Sequence, residues 1–465
     1  MSIAAVPRVR VSHHRPLAAC IAGILCCTSP LAFASTVFVT NCNDAGVGSL
    51  RAAVTGAANG DTVDASGLTC STITLTTGDI VVNQNDLTIQ GPTTQRLTIT
   101  AFNSGTFHQY QNRIFTHTGT GTLTLESLTM TKGYQSGAAS AVGGCVYSKG
   151  SVNLYGVGAY LCEASSNGVT YGGAIATSGK TFVKYSTITG NTAYTQNASS
   201  GLSEGGGVLA ANNFSAKYST ISGNSAIGPS GSSATGIAGG VFSGGNATIR
   251  NSTIAGNTAK TNIGGAALLG STGNTAVISN STISGNTATT NIIGGLYTSI
   301  PAVNIYNSTI VFNQAASTSS GAHAVGIAMV GGTAKLESTL VANNTYGPPT
   351  MNDDLSAAGV TITGHNNLVR VSSAGLPADT IAGPCPILGP LKFNGGLTQT
   401  HALFSHSPGV DQGNNTFGSN EDQRGRPGNT NPFPYPRISG AAADIGAYEL
   451  QQNAIIFDAN FEGCP

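Results

Sequence analysis

The sequence predicts an all-β chain wound into a right-handed parallel β-helix, and three observations carry that prediction. First, one phrase recurs from residue 185: Tyr185-Ser-Thr-Ile-Thr-Gly-Asn191, Tyr218-Ser-Thr-Ile-Ser-Gly-Asn224, Asn251-Ser-Thr-Ile-Ala-Gly-Asn257 and Asn280-Ser-Thr-Ile-Ser-Gly-Asn286, with looser copies ending at Asn313 and Asn343. Successive copies lie 33, 33, 29, 27 and 30 residues apart, the period of a solenoid rather than of separate domains. Second, a glycine phrase returns between them, at Gly172-Gly173, Gly206-Gly207, Gly239-Gly240, Gly264-Gly265 and Gly294-Gly295, with an earlier member at Gly143-Gly144. Third, no ten-residue window has helical periodicity, and 63 of 465 residues are Gly, about twice ordinary usage. A β-propeller competes on period, but the Trp-Asp signature of its blades is absent. Connections between parallel strands are right-handed almost without exception, which sets the expected hand.

Residues 1–34 read as a signal peptide. Arg8, Arg10 and Arg15 precede an apolar run from Leu17 to Phe33, and Ala32-Phe33-Ala34 places small residues where a signal peptidase reads. A retained anchor is the alternative; the run is short for a membrane span and is broken by Gly23 and Pro30. Leu17-Ala-Ala-Cys20 imitates a lipoprotein box without a continuous apolar stretch before it. No later stretch is long and apolar enough to span a bilayer as a helix.

Residues 35–95 read as an N-terminal cap with the first strands, where Thr36–Thr40, Ser71–Thr76 and Asp86–Ile89 alternate as strands do and Ser49–Val54 is the one short helical candidate. A solenoid needs such a cover to prevent edge-to-edge growth. Residues 96–385 read as coils. Stacking at about 4.8 Å per rung superposes Ile188, Ile221, Ile254, Ile283, Ile310 and Leu340 as an aliphatic ladder. Asn191, Asn224, Asn257, Asn286, Asn313 and Asn343 then form a structural turn ladder, since Asn tolerates left-handed backbone and stacked amides satisfy one another. A carbohydrate-binding amide row is the alternative for these six. After residue 385 Pro, Gly, Asn and charge rise together and the rhythm is lost, so 386–465 form a separate irregular region.

The leader takes three of nine cysteines, leaving Cys42, Cys70, Cys145, Cys162, Cys385 and Cys464 and a net charge of −3. An even set in an exported chain reads as disulfides. Proximity favours Cys42 with Cys70 and Cys145 with Cys162, leaving Cys385 and Cys464. A metal reading lacks a CxxC pair and a His within ligand spacing. With nineteen Lys+Arg against nineteen Asp+Glu, the chain has no basic footprint for nucleic acid.

Asn41-Cys-Asn-Asp44, Gly48-Ser-Leu-Arg-Ala-Ala53 and Gly60-Asp-Thr62 resemble the start of bacterial secreted β-helix proteins grouped with polymorphic outer-membrane proteins. Leu388-Gly-Pro-Leu391, Asn394-Gly-Gly396, Thr400-His-Ala-Leu403, Asp422-Gln-Arg-Gly425 and Asp444-Ile-Gly-Ala-Tyr-Glu449 resemble the choice-of-anchor Q region. The final Ile455–Glu462 resembles a short terminal tag of exported proteins of some Gram-negative bacteria. The resemblance implies export, an extracellular or outer-membrane-surface address, and no defined activity.

Candidate chemistry is sparse. Between Asp86 and Asp353 the acids are Glu126, Glu163, Glu204 and Glu337, none paired within a phrase, whereas glycoside hydrolysis needs two carboxylates at about 5 to 9.5 Å. Stacking brings Glu163 towards Glu204 if their coils are neighbours. Asp411, Glu421, Asp422, Asp444 and Glu449, with His401 and His406 nearby, are the densest acidic set outside the cap, and calcium is the ion such oxygen donors would hold. The structural alternative has Asp411 and Asp444 accepting backbone hydrogen bonds and Arg424 or Arg426 pairing with an acid. Tyr147, Tyr155, Tyr160, Tyr171, Tyr185, Tyr194 and Tyr218 are an aromatic platform for sugars, or ordinary turn stacking. The expectation is therefore a non-catalytic, adhesin-like binder of a polysaccharide or a surface protein, with no catalytic residue, cofactor or metal site assigned. A polysaccharide lyase or glycoside hydrolase, and a structural spacer, are the alternatives.

Overall fold

The computed structural model describes residues 34–101, 112–197, 199–229, 235–260, 263–290, 293–316, 325–347, 351–425 and 435–451. The leader, the terminal tag, Arg426 and Cys464 lie outside the described residues. The protein is an all-β, right-handed parallel β-helix. One coil shows the plan: Ile175–Thr177 and Thr181–Lys184 belong to a 20-stranded sheet, Thr187–Thr189 to a 12-stranded sheet, Thr192–Thr195 to a 9-stranded sheet and Leu202–Glu204 to a 4-stranded sheet. Each strand pairs in parallel with its counterpart one coil on, so that Ile175 lies against Val208, Val183 against Ala216 and Ile188 against Ile221. Period-2 alternation explains the rest: Val183, Ile188 and Ala193 point inward and are buried, while Lys184, Thr189 and Tyr194 point outward.

At the N-terminal end the short helix Leu50–Gly56 forms where expected. Ser49 caps it by accepting from the Ala52 N–H, and Leu50, Ala53 and Val54 are buried. Arg51 reaches back to Asp44 at 2.7 Å and to the Gly78 carbonyl at 2.6 Å. Burial alone would raise the Asp44 carboxyl; donation from Arg51, Thr76 and Thr77 outweighs it and pulls the pKa down to about 2. Disulfides join Cys42 to Cys70 and Cys145 to Cys162, and Cys385 is also disulfide-bonded.

The two repeated phrases meet in space. Asn257 Nδ2 donates to Asn286 Oδ1 at 2.9 Å and to the Ile221 carbonyl at 3.0 Å, and Asn257 Oδ1 accepts from both Asn224 nitrogens. The same bonds join Asn191 to Asn224 and Asn286 to Asn313. The Gly-Gly phrase gives this ladder room: a Cβ on Gly240 would lie 2.6 Å from the Gly265 carbonyl oxygen and 3.0 Å from Asn257 Nδ2. The glycine before each Asn has a separate reason. Gly190, Gly223, Gly256 and Gly285 have φ between 60° and 70°, which costs glycine nothing.

At the last copy two expected positions are corrected. Asn313 donates to Asn344 Oδ1 at 2.8 Å, not to Asn343, and Ile310 lies against Val341, not Leu340. The register slips by one because Thr339 performs the hydroxyl role of Ser308: its Oγ1 donates to the Glu337 carbonyl as Ser308 Oγ donates to the Tyr306 carbonyl, and its backbone N–H donates to Asn367 Oδ1. Ser338 takes the left-handed bend, Asn343 (φ 58°) takes the left-handed site held by glycine in the first four copies and by Phe312 in the fifth, and Leu340 joins an outer apolar cluster. Asp354 ends the ladder, with Oδ1 accepting from both nitrogens of Asn344.

The region after residue 385 folds back along the 12-stranded sheet as a strap. Leu388, Leu403, Ile445 and Tyr448 pack on Val311, Leu340 and Leu368. Beyond that anchor the strap bonds to the outward Thr/Ser row: Thr253 donates to Gln399 O, Thr282 to Gln423 Oε1, the Ala447 N–H to Thr309 Oγ1, and Ser284 shares a hydrogen bond with His401. Thr253, Thr282, Ser284 and Thr309 are buried beneath it, whereas Thr187, Thr189, Thr220 and Ser222 of the preceding coils are half-buried.

Candidate functional site

The coils just before the strap carry an outward grouping of rings and cations. Each copy leaves the 20-stranded sheet at a residue that immediately precedes a left-handed bend. In three consecutive coils that residue is Lys184, Lys217 and Arg250, in exact parallel register. Tyr155 occupies the same position one rung earlier. The bend residues are Tyr185 and Tyr218, with φ of 52° and 51°, whose rings stack at 5.3 Å and 21°. Period-2 alternation puts Phe182 on the same outer face as Lys184. Phe182 meets Tyr155 at 5.4 Å and lies 6.0 Å from Lys217 Nζ, while Lys184 Nζ sits 4.9 Å from the Tyr185 ring.

This strip is half-buried throughout, as amphipathic side chains lying along a sheet face should be. Among the described residues no carboxylate forms an ion pair with Lys184, Lys217 or Arg250. Acids stand only at the ends: Glu126 is the rung before Tyr155, and Glu421 of the strap lies near Tyr218. Burial, then Tyr185 and Glu421, push the Tyr218 phenol up to about 12 against the pull of Arg250, so it stays a neutral hydrogen-bond donor. Phe417 of the strap closes the far end, stacked on Tyr306 at 4.7 Å and 5.2 Å from the Arg250 guanidinium.

The tyrosine row is not one platform. Tyr147 and Tyr155 lie in the 20-stranded sheet, Tyr160 in the 12-stranded, Tyr194 in the 9-stranded and Tyr171 in the 4-stranded sheet, and only Tyr155, Tyr185 and Tyr218 belong to the strip. Glu163 and Glu204 come from neighbouring coils but from different sheets, Glu163 pairing with Tyr134 and Thr192 in one and Glu204 with Tyr171 and Ile237 in another. Burial alone raises the Glu204 carboxyl, with no contribution from Glu163.

The C-terminal acids are bound by the strap itself. Arg424 donates to Asp422 at 2.6 and 2.9 Å; Asp411, Asp444 and Glu449 accept backbone N–H groups of Ala442, of Asp411 and Leu450, and of Ser439 and Asp444. Among the described residues no group of three or more His, Cys, Asp or Glu could hold a metal ion. His401 is buried between Ser284 and the Gly389 carbonyl, and burial lowers its pKa to about 4, so it is neutral. His406 is exposed beside Ser405.

Sequence reading missed the cations. The signal was present: Lys184-Tyr185-Ser-Thr-Ile, Lys217-Tyr218-Ser-Thr-Ile and Arg250-Asn251-Ser-Thr-Ile put a cation directly before three consecutive copies.

Fold and site together define a parallel β-helix with an aromatic–cation strip along one bend. No protein-family model and no curated protein matches the chain. Among solved structures, the crystal structure of pectate lyase Pel9A aligns with 13% identity over 91% of this chain and 98% of that chain, at a TM-score of 0.45.

Proposed function

We propose that the protein is an exported, surface-associated β-helix that binds a glycan without cleaving it, through the strip formed by Tyr155, Phe182, Lys184, Tyr185, Lys217 and Tyr218. The observation that carries this reading is the stacking, in register on one outward bend, of rings and of cations that have no carboxylate ion pair among the described residues. Phenol and Ser/Thr hydroxyls take the hydroxyl groups of sugars, the stacked rings supply an apolar flank beside them, and both are already ordered by the coil. Export is supported by the residue 1–34 pattern and by disulfides, which persist in oxidising compartments. Among the described residues no helix is long and apolar enough to cross a membrane.

The test is incubation with acidic and neutral polysaccharides, with and without calcium, recording co-sedimentation and new reducing or unsaturated ends together. Binding without new ends, lost in Tyr185→Ala/Tyr218→Ala, is the expected result. New ends that vanish in Glu163→Gln or Glu204→Gln would assign a lyase or hydrolase instead.

A further inference from the structure

We infer that the ligand of this strip is a linear acidic glycan, running along the solenoid axis with its carboxylate or sulfate groups on Lys184, Lys217 and Arg250; the inference rests on the glycan-binding reading above. The chain balances nineteen cations against nineteen acids over 465 residues, yet three cations fall on one column in consecutive rungs. Stacked like charges cost free energy unless a counter-charge covers them. Elsewhere on the same column the molecule supplies one itself: Glu337, two rungs beyond Ser279, is held by Lys335 at 2.9 Å and by Asn414. On Lys184, Lys217 and Arg250 it supplies none among the described residues.

The rung spacing of about 4.8 Å puts the three cations on one line along the solenoid axis, a row that a linear polyanion can lie along. Arg250 marks the strap end of the row, its guanidinium 5.2 Å from the Phe417 ring. The partner is a glycan rather than single-stranded nucleic acid because the Tyr185 and Tyr218 rings already stack on each other at 5.3 Å and leave no slot for a base between them. The adjoining row is hydroxyls, with Thr189 and Ser222 sharing a hydrogen bond at 2.9 Å. The strap shows how that row works: in the next two coils the equivalent Thr253 and Thr282 hydroxyls donate to a backbone carbonyl and an amide oxygen, acceptors of the same hydrogen-bonding type as glycan oxygens.

The experiment measures affinity of the full chain for alginate, carboxyl-reduced alginate and oligo-dT across a salt series. The expected result is binding of alginate alone, weakening as salt rises. Lys184→Gln/Lys217→Gln lowers that affinity about tenfold, each exposed ion pair being worth about two- to fivefold, while Lys149→Gln, which removes an exposed cation off the strip, leaves it unchanged. Equal binding of alginate and its reduced form overturns the acidic class and keeps the glycan reading. Binding of neither overturns both. Oligo-dT binding that the double variant abolishes overturns the inference in favour of nucleic acid. The salt dependence of the unaltered chain keeps the test decisive should the double variant unfold.

Discussion

Asn257→Ala is expected to cost more than any surface change on the coils. The side chain is fully buried and makes four hydrogen bonds. Its removal leaves Asn286 Oδ1 still served by the Asn257 N–H at 3.0 Å, but strands the Asn224 N–H and one proton of Asn224 Nδ2. Each stranded buried donor costs about 1–3 kcal/mol, so the sum is about 4 kcal/mol before any cavity term. Coils are coupled mainly to their neighbours, which makes amide exchange the right assay: protection should fall at Asn224 and in strands Thr220–Ser222 and Thr253–Ala255, and little at Leu50–Gly56. Asn257→Asp adds a control, since it keeps the acceptor for Asn224 and loses the side-chain donors to Ile221 O and Asn286 Oδ1. It should be worse than Asn257→Ala at pH 7, where a buried carboxylate is charged, and should recover in acid as a protonated Asp donates again. A loss below about 1 kcal/mol for Asn257→Ala, or uniform deprotection of the whole chain, would refute the argument.

The register at the last copy predicts a contrast between neighbours. Asn343→Gly should cost no more than about 1 kcal/mol, because the left-handed site (φ 58°) suits glycine and the bond lost is the one from Arg370, which keeps Asn352, whereas Asn344→Ala should cost about 2 kcal/mol or more, read by urea unfolding. His401 is held neutral with its pKa near 4 against an unfolded value of 6.5. The unfolded chain binds the extra proton first, so this stability is present above pH 6.5 and is lost as pH falls towards 4, by about 3 kcal/mol in all; His401→Gln should flatten that part of a stability–pH curve. Replacing both Cys145 and Cys162 by Ala opens a 17-residue separation and should cost about 3 kcal/mol in oxidising buffer, with no further loss on adding reductant beyond what the other disulfides contribute.

The fold was legible because its signals repeat. Ile188, Ile221, Ile254 and Ile283 each report the same inward site, so a single misread copy changes nothing. Where the pattern degrades, the reading slips: Ser338-Thr339 offers two hydroxyls, and aligning on Ser338 rather than Thr339 misassigns Leu340 and Asn343. The strap was not legible, because its contacts are one-time events between residues far apart in sequence, such as Asn251 with Asp422, and no period announces them. The tyrosine row failed for a related reason. Sequence order lists side chains that four sheets send in different directions. The cation column was recoverable, since Lys184, Lys217 and Arg250 hold one position in the phrase, but attention to what the phrase contains hid what precedes it.

The strap also bears on the route by which the chain folds. Coils pair with partners about thirty residues away, a short loop to close, and can add one after another from either end. The strap bonds Asn251 and Thr253 to residues 171 and 146 positions later. Closure entropy grows slowly with loop length, but it is spent before these contacts return anything. The strap therefore arrives on a scaffold that is already wound, and the coils from residue 251 onward keep their outer hydroxyl row wet until the strap has been made and docks.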